Sequence, residues 1–489
     1  MRIAAPVMVA LVGVALLAGC SGKDAPAPAL APTESPGPSG VTAVGGQAGG
    51  NGTGARLPAE FLAGFRVDDV HLGEQGAEPN VGVTSSGAVF ATAFETVMRS
   101  TDAGLSYAPV YSQKVGFTSD PMLWVDPVTD RIFSPQMFPT LLCSSFIISD
   151  DDGESWTEVP AVSCGLPVID HQKVASGPPP AGSVFTPSPT YPDLVTYCYN
   201  KLTATHCAVS IDGGLRFEHD TIIDTSPIAP TVDTQFGCGG LNGHQHHAAD
   251  GTIYVPYGFN CGQVFVGVST DGGFSYTRHN LGIPNIGLDP EVTSTPDGTT
   301  YLFSKSPEGS AYVIRSKDRF ETYEGPFTVS PPEVRTTAFL GMTAGSDGRV
   351  AFGYLGTNDP AAIEDHVNAT SVWYAYVTMT LDGGSASPTF VTVKASSDPV
   401  QRGSICMHDG CEPDDPDDNN SPTNRNLLDF VDLHAGPDGR FFFAYADGCT
   451  SKDCLAPGGL PRDSRDSELV VARLAVGPSL QAGKPAFVG

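Results

Sequence analysis

One eight-residue motif recurs through the chain and constrains its fold more than any other feature. Its clearest copy, Ser269–Tyr276, reads STDGGFSY, an Asp followed by Gly, a hydroxyl residue and an aromatic ring. The copies, some complete and some degraded, have their aspartates at Asp102, Asp151, Asp212, Asp271, Asp318 and Asp382. A motif repeated at intervals of roughly 50 residues predicts a repeat architecture.

The motif has the chemistry of a tight turn. Its Asp caps backbone N–H groups of the bend, and its Gly takes a conformation that residues with a Cβ resist. Three copies depart from the pattern: Arg216 holds the hydroxyl position, Phe320 replaces the Gly, and Thr380–Ser387 lacks the aromatic residue. The octamer resembles the Asp-box, or bacterial neuraminidase repeat, of sialidases and other β-propellers. That resemblance implies a role in folding and none in catalysis.

A second pattern lies between the Asp-boxes and predicts the blades. Seven times, a polar start leads into an apolar strand, an Asp-Gly or Gly turn and an alternating strand, as in DPEVTSTPDGTTYLFSKS from Asp289. Asp-Gly between two apolar runs is a strong hairpin signal. With a third and a fourth strand flanking each Asp-box turn, the chain is predicted to be all-β, a seven-bladed β-propeller. The alternative is six blades, the number in the sialidases. We expect Phe61–Val70 to close the ring as the outer strand of blade seven.

The first 58 residues are expected to lie outside the propeller, which we assign to residues 59–489. Residues 1–20 read as a secretory signal, and the run Leu17-Ala-Gly-Cys20 looks like a lipobox. That resemblance implies a lipoprotein with Cys20 as its lipidated residue, anchored in the cell envelope at the outer membrane or cell surface. The alternative is an ordinary cleaved signal. Residues 21–58, rich in Pro, Ala, Gly and Ser, are expected to be a disordered tether.

Charge and cysteines narrow the possible partners and the compartment. The formal net charge is −28, which disfavours nucleic acid and anionic headgroups, so contact with the membrane is expected only through the anchor. Beyond Cys20, ten cysteines remain, an even number in an exported chain. The simplest expectation is five local disulfides; zinc is the alternative, although no C-x-x-C spacing occurs. The expected pairs are Cys143–Cys164, Cys198–Cys207, Cys238–Cys261, Cys406–Cys411 and Cys449–Cys454.

Candidate functional residues come from propeller geometry. The Asp-box turns lie on one face, here called the bottom face, and the loops that lead into the innermost strands lie on the opposite, top face. Ligands of propellers usually bind at the top face. Its candidate residues are Glu78, Asp120, Asp170, His171, His244, His246, His247, Asp289, Glu291, Arg335, Arg425, Asp429 and Asp432.

Two interpretations of these top-face residues remain open. The acids could cap backbone groups and tie adjacent blades together, or they could surround a central polar site. Such a site could hold a cation such as Ca²⁺ or perform acid/base chemistry. The paired histidines either ligate a metal or line the channel, and strand alternation puts His244 and His246 on one side of the strand, Gln245 and His247 on the other. No cofactor is expected with certainty.

The sialidase resemblance supplies a further test. Sialidase chemistry needs three arginines for a substrate carboxylate, a Tyr–Glu pair and an Asp acid/base. Arg66, Arg335 and Arg425 are the candidates for the arginines, and the Tyr–Glu pair has no clear match. For catalysis we single out Asp120, Asp289, Arg335, Arg425 and Asp429. For binding we single out Arg66, Glu78, Asp170, His171, His246, Glu291 and Asp432.

The sequence thus predicts a sialidase-like envelope propeller that binds a glycan or a protein at its top face. The alternative is a glycoside hydrolase, resembling an exo-sialidase, or a lyase acting on envelope or extracellular glycans. No nucleophile elbow, phosphate loop or zinc-protease motif occurs in the sequence.

Overall fold

Seven antiparallel sheets form a seven-bladed β-propeller in a computed structural model of the chain, as predicted, and the six-bladed alternative is wrong. The structure describes residues 42–45, 59–62, 64–94, 96–112, 120–138, 143–162, 169–201, 204–224, 241–258, 262–285, 289–360, 371–403, 405, 427–459 and 467–489. The signal segment with Cys20 lies outside these residues. In each blade the first strand is innermost and the others follow outward in chain order.

Two strands precede the first blade. They are β1 (Thr42–Gly45) and β2 (Arg66–Gln75), with a 3₁₀ turn at Ala59–Phe61 between them. The first three blades follow in chain order. Their strands are β3 (Asn80–Val83), β4 (Val89–Ala93), β5 (Thr96–Ser100) and β6 (Ala108–Ser112); β7 (Trp124–Val125), β8 (Ile132–Phe138), β9 (Cys143–Ser149) and β10 (Thr157–Val162); and β11 (Ile169–Gly177), β12 (Leu194–Lys201), β13 (Ala204–Ser210) and β14 (His219–Ile222).

Blades four to six repeat this order. Their strands are β15 (His246–His247), β16 (Ile253–Tyr257), β17 (Gln263–Ser269) and β18 (Thr277–Pro284); β19 (Glu291–Ser294), β20 (Thr300–Lys305), β21 (Ala311–Ser316) and β22 (Glu324–Thr328); and β23 (Thr336–Ala344), β24 (Val350–Thr357), β25 (Val372–Thr380) and β26 (Thr389–Lys394). Blade six carries two additions: β1 pairs with β26 as a fifth strand, and β27 (Gln401–Arg402) pairs with β25.

Blade seven joins the two ends of the propeller. Its strands are β28 (Asp432–Ala435), β29 (Phe441–Asp447) and β30 (Glu468–Gly477), and β31 (Phe487–Val488) pairs with the end of β30. The fourth strand is β2, which pairs with β30 from Arg66 opposite Val476 to Gln75 opposite Glu468. The predicted closure is therefore confirmed. The innermost strand β28 contacts both β23 and β3, so the ring is complete.

Part of the predicted tether is structured. The four residues of β1 lie within residues 21–58 and extend the sheet of blade six, in register from Thr42 opposite Thr392 to Gly45 opposite Thr389. The remaining residues of that segment lie outside the described part of the chain.

Apolar side chains fill the spaces between neighbouring blades. Val81 and Val83 of blade one pack with Phe442 and Ala444 of blade seven in one buried cluster. Each sheet therefore buries both of its faces against its neighbours, which explains why the inner strands read as continuous apolar runs.

The Asp-box turns are self-contained. In the fourth, Asp271 accepts hydrogen bonds from the Ser275 backbone N–H at 3.0 Å and from the Ser269 hydroxyl at 2.8 Å. The Ser275 hydroxyl donates to the second oxygen of Asp271 at 2.5 Å. These bonds outweigh the effect of partial burial and lower the pKa of Asp271. The same bonds recur around Asp102, Asp151 and Asp318.

The turn at Asp382 forms a similar bond with residues beyond its octamer. Asp382 accepts a bond from the Thr389 backbone N–H at 2.8 Å, the bond that the residue four positions on supplies in the other copies. Phe390, fully buried, follows Thr389 directly. Thr389 lies seven positions after the Asp, so three additional residues separate the two, and an aromatic residue follows outside the octamer Thr380–Ser387.

Arginines link the Asp-box turns of neighbouring blades. Arg99 of blade one donates to the backbone carbonyl of Asp152 in the second box at 2.7 Å, and Arg131 of blade two donates to that of Gly213 in the third at 2.8 Å. Arg315 of blade five bonds the carbonyl of Gly383 in the sixth. These side chains act on the bottom face as structural ties.

Two of the five expected disulfides lie within the described residues, and both are formed. Cys198–Cys207 joins neighbouring strands of blade three, and Cys449–Cys454 closes a loop that contains the short helix α1 (Lys452–Leu455). The other three expected pairs lie outside the described side chains. Over the ranges that the structure describes, we find no helix with the length and apolarity needed to cross a membrane.

Candidate functional site

The acidic residues of the top face converge at the mouth of the central channel. Two of them, Glu78 and Asp120, precede inner strands with φ of 50° and 45°, and His171, inside β11, has φ of 50°. Phe339, inside β23, and Leu428, before β28, have the same left-handed conformation. At His171 the pairing of β11 and β12 shifts between Asp170 and Lys173. The left-handed residues and the bulge change the direction of the chain locally. As a result, side chains from several blades point toward one place.

A chain of hydrogen bonds runs through the first three blades. A Glu78 carboxyl oxygen accepts from the Asp120 backbone N–H at 3.0 Å. An Asp120 carboxyl oxygen accepts from the His171 backbone N–H at 2.9 Å, and its side chain also hydrogen-bonds the carboxyls of Glu78 and Asp170. Three acids in direct contact cannot all be ionised, so the group shares protons.

Their pKa values are pushed apart. Burial, and then the charge of Asp120, raises the pKa of Glu78 well above its usual range and that of Asp170 to about 8. Burial alone would also raise the pKa of Asp120, but the charge of His171 and the hydrogen bond from Asp170 lower it. At neutral pH the trio therefore holds protons on Glu78 and Asp170 and a negative charge on Asp120.

His171 stands at the centre of the mouth. Its Nδ1 lies 2.8 Å from an oxygen of Asp289 in blade five, and its Nε2 lies 3.9 Å from Asp429 in blade seven. Its ring meets Phe430 edge-on, with centroids 4.8 Å apart. Burial would lower the pKa of His171, but Asp289 and Asp170 raise it to about 9. His171 is thus an imidazolium held between two carboxylates.

A second ion pair lies between blades four and five. His244 Nδ1 lies 2.9 Å and 3.0 Å from the two oxygens of Glu291. Burial would lower the pKa of His244, but Glu291 raises it, and burial raises the pKa of Glu291 in turn. The two groups therefore share a proton or a charge pair.

The histidine run follows the predicted alternation. His244 and His246 both point to blade five, where His246 Nε2 lies 2.7 Å from the Ser294 hydroxyl. Gln245 and His247 point to blade three, where His247 Nε2 lies 2.8 Å from the Thr196 hydroxyl. Burial lowers the pKa of His246 to about 4 and that of His247 to about 3, so both are neutral. Both side chains hydrogen-bond to a neighbouring blade. This arrangement agrees with the interpretation that the histidines line the channel.

Lys173 is the residue that sequence reasoning missed. It is fully buried, its ammonium lies 3.3 Å from the centre of the Phe430 ring, and its charge acts on Glu78, Asp120 and Glu291. Its position two residues after His171, in an inner strand, was a signal, because an inner strand is buried and a buried lysine needs a special environment. Phe430 was also missed.

The structure does not bring the predicted arginines together. Arg66 pairs with Val476 at the far end of β30, on the bottom side, and forms an exposed ion pair with Asp68 at 2.7 Å. Arg335 is exposed and lies four residues before Phe339, the blade-six residue at the left-handed position. Arg425 lies outside the described residues. The structure therefore does not place Arg66 beside the top-face acids, and its role in binding stays a prediction.

The remaining acid of the set is structural. One oxygen of Asp432 accepts from the Val81 backbone N–H of blade one at 3.0 Å, and the other accepts from Leu433 at 2.8 Å. Together with the bonds of Glu78 and Asp120, this contact shows that top-face carboxyls accept hydrogen bonds from the backbone of neighbouring blades. The cap interpretation and the central-site interpretation therefore both apply, to different members of one cluster.

Some buried polar atoms of the cluster have no hydrogen-bond partner among the described residues. They include Lys173 Nζ, Asp289 Oδ1 and His244 Nε2, and also His247 Nδ1 and Gln245 Oε1 of the histidine run. The side chains of Asp289, Asp429 and His244 are also the more open ones, at 10%, 13% and 19% exposure. Buried donors and acceptors are normally paired, by protein or by another molecule.

Within the described ranges, no three His, Cys, Asp or Glu side chains are grouped so that they could hold a metal ion. The possible Ca²⁺ site thus gains no support from these residues. What the arrangement offers chemically is a set of protonated and ionised carboxyls, one imidazolium and one ammonium.

Comparisons with known proteins give likeness of fold only. No protein-family model matches the chain. No curated protein matches it either. Solved structures that resemble it include a protein of unknown function from Dyadobacter fermentans, with 13% identity, 84% of this chain and 98% of the other covered, and a TM-score of 0.41.

Two further solved structures have described functions. A lectin from Burkholderia pseudomallei is 10% identical over 84% of this chain and 99% of its own, with a TM-score of 0.49. An intramolecular trans-sialidase from Ruminococcus gnavus is 14% identical over 83% of this chain and 96% of its own, with a TM-score of 0.38. At such scores these likenesses carry no argument about function.

Proposed function

We propose that this protein binds a carbohydrate at the top face of the propeller, where the acidic cluster surrounds the channel mouth. The observation that carries the proposal is the set of buried polar atoms without partners: Lys173 Nζ, Asp289 Oδ1 and His244 Nε2. Each such atom costs free energy if it stays unpaired, about 1–3 kcal/mol and more for a charged group. A ligand that reaches them recovers that cost.

A carbohydrate suits this set better than an apolar ligand or a protein strand. The lysine can only donate a hydrogen bond, the carboxylate can only accept one, and the histidine nitrogen can do either according to its protonation. Sugar hydroxyls both donate and accept, so they match all three kinds of group.

The charges favour a neutral or basic sugar over an acidic one. Arg66 lies on the bottom side and Arg335 is exposed outside the cluster, so the two described candidates do not form a clamp for a carboxylate. The chain carries 54 acidic against 26 basic residues, which repels anions at long range. Hydrolysis of sialosides is therefore the less favoured form of the glycosidase alternative.

The proposed location of the protein at the cell envelope rests on its sequence alone. We propose that the signal at residues 1–20 exports the chain and that Cys20 carries the lipid, so that the propeller works at the cell envelope. Replacing Cys20 with Ser should release the protein from the membrane fraction. Retention of the C20S variant in that fraction would contradict the anchor.

A glycan array with the purified full-length protein tests the binding proposal. We expect a defined subset of neutral or amine-bearing glycans to bind the wild type, and Asp429→Asn to weaken that binding at least tenfold. The matched control is Asp271→Asn on the bottom face, which should bind as the wild type does. If no glycan binds, or if the control loses binding while still folded, the proposal is wrong.

Glycoside hydrolysis is the second candidate, and one observation favours it. Neighbouring carboxyls with separated pKa values are the arrangement that glycosidases use, one acid protonated and one ionised. Asp170, with its pKa raised to about 8, would be the general acid. Its second carboxylate would have to come from another blade, as Asp289 or Asp429, because Asp120 is hydrogen-bonded to Asp170 and glycosidases hold their two carboxyls about 5–9.5 Å apart. Incubation with the glycans that bind, followed by mass spectrometry of the products, decides between binding and turnover. Unchanged glycans after prolonged incubation would remove the enzyme candidate.

A further inference from the structure

We infer that the ligand of the top face carries a protonated amine, as an amino sugar without its acetyl group does. This inference rests on the proposed carbohydrate binding and names its chemical class. The geometry points to Asp289, with Asp429 on the other side of His171, as the pair of carboxylates that receives the amine.

Only one of the two carboxyl oxygens of Asp289 has a hydrogen-bond partner among the described residues. Its Oδ2 lies 2.8 Å from His171 Nδ1, while its Oδ1 is buried and has no donor among the described residues. Glu78 and Asp120 each cap a backbone N–H of the next blade, but no such bond to Asp289 Oδ1 is formed. A carboxylate oxygen buried in this way requires a donor, and a cationic donor gives the stronger bond.

The balance of charge near the mouth agrees with a cationic ligand. Asp120, Asp289 and Asp429 lie around His171, and the charge of Lys173 also acts on Asp120. Burial raises the pKa of Glu78 and of Asp170, which favours their protonated forms. Three carboxyl groups against two cations leave the cluster short of positive charge, so an ammonium group of a ligand would complement it.

The fixed cation of the cluster lies elsewhere. Lys173 is fully buried against Phe430, and its charge acts on Glu78, Asp120, Glu291 and His244. Asp289 and Asp429, at 10% and 13% exposure, are more open than Lys173. An incoming amine would therefore meet the side chains of Asp289 and Asp429 before it meets Lys173.

A matched pair of probes isolates the amine. Titration calorimetry of the full-length protein at pH 6 and 0.15 M NaCl compares the glucosamine trimer with the N-acetylglucosamine trimer, which differs only in the blocked amines. We expect the free-amine trimer to bind at least tenfold tighter. Asp289→Asn should abolish that preference, and Asp429→Asn, an independent variant, should reduce it.

Two controls separate site binding from general attraction to an acidic protein. Asp271→Asn removes one bottom-face charge of the same kind and should leave the preference unchanged. Raising NaCl to 0.5 M weakens exposed charge contacts most, and we expect a measurable preference to survive it because the carboxylates are partly buried. A preference that is equal in Asp289→Asn and the wild type would overturn the inference.

The remaining outcomes distinguish a failure of the amine inference from a failure of the carbohydrate-binding proposal. If the acetylated trimer binds as tightly as the free amine, the amine has no role and the inference is wrong. If neither trimer binds while other neutral glycans bind on the array, carbohydrate binding stands and the amine class is wrong. If no glycan binds at all, both fail.

Discussion

The bottom face and the top face of this propeller both carry rows of acidic residues, and they hold them in opposite ways. Each Asp-box carboxylate is satisfied by its own turn, so the pKa of Asp271 and of its counterparts is lowered. The top-face acids are buried against one another, so the pKa of Glu78 and of Asp170 is raised. The same side chain is a structural cap on one face and a proton-holding group on the other.

The difference comes from where the partners are in the sequence. Asp271 bonds Ser269 and Ser275, which are two and four residues away. Asp289 faces His171 from 118 residues away, and Asp432 bonds Val81 from 351 residues away. A carboxyl group whose hydrogen-bond partners are local keeps the same bonds wherever the motif occurs. A carboxyl group whose partners are distant in sequence has a pKa that depends on the whole ring.

Removing the buried cation is expected to give the largest effect. Lys173→Met leaves Asp120 and the neighbouring acids of the top face without their buried ammonium, and breaking such a buried set typically costs about 3–5 kcal/mol. Chemical denaturation of the variant measures the loss. Lys317→Met is the matched control, because the ion pair of Lys317 with Asp297 is exposed and worth about 0–1 kcal/mol. Equal losses in the two variants would show that the cluster is not electrostatically coupled.

The two faces should also respond to pH in opposite directions. Asp170, with its pKa raised from the usual 3.8 to about 8, is protonated in the folded protein and ionised in the unfolded chain between these values. Its contribution to stability is therefore complete below about pH 4 and falls as pH rises toward 8. His171, raised from 6.5 to about 9, loses its contribution between those values.

Each such group changes the free energy of unfolding by about 1.4 kcal/mol per pH unit within its window. We expect Asp170→Asn to flatten the decline of stability between pH 5 and pH 8, measured by urea unfolding at several pH values. The lowered pKa of Asp271 acts the other way: its contribution is present above about pH 4 and falls in acid. An Asp170→Asn profile parallel to that of the wild type would contradict the assignment.

A single Asp-box substitution should reduce stability without touching the ligand. Asp271→Ala removes the acceptor for the Ser275 backbone N–H and two hydroxyls, and we expect a loss of about 1–3 kcal/mol. Binding of whatever glycan the wild type selects should be unchanged in the folded variant. Loss of binding in a variant that still unfolds cooperatively would break the division of roles between the faces.

The smallest effect is expected at a strained position of the fifth Asp-box. Arg319 has φ of 62°, in a turn where the third and fourth boxes have glycines, and a left-handed residue with a Cβ costs about 1–2 kcal/mol. Arg319→Gly relieves that strain but loses an exposed ion pair with Asp250 at 3.2 Å. We expect a net gain of less than about 1 kcal/mol. A clear destabilisation in thermal melting would show that the ion pair matters more than the backbone.

The fold was predictable because its signals are local. The Asp-boxes, the Asp-Gly hairpins and the apolar strand at Glu468–Val476 are each contained in a few residues, and counting them gave seven blades and the closing strand. The sixth box shows the limit of that approach. Its hydroxyl and aromatic partners, Thr389 and Phe390, are displaced by an insertion that only the turn geometry reveals.

The sequence allowed the acidic residues of the candidate site to be identified. It did not allow their arrangement relative to one another to be predicted. The position of each acid before an inner strand placed Glu78, Asp120, His171 and Asp289 at one mouth. Which acid caps a backbone and which stays half unpaired depends on contacts between blades. Arg66 shows the same limit: its strand was predicted correctly, but the register with Val476 puts it at the bottom.

The pairing of β2 with β30 also sets the order in which the molecule can form. A ribosome makes β2 hundreds of residues before β30, so six blades can assemble while the closing strand still has no neighbour. The final step joins chain segments that are almost as distant as the length permits, and such long-range joining is slow. Until then the edge of β2 that will pair with β30 is open for pairing with another chain, and ring closure removes that opportunity.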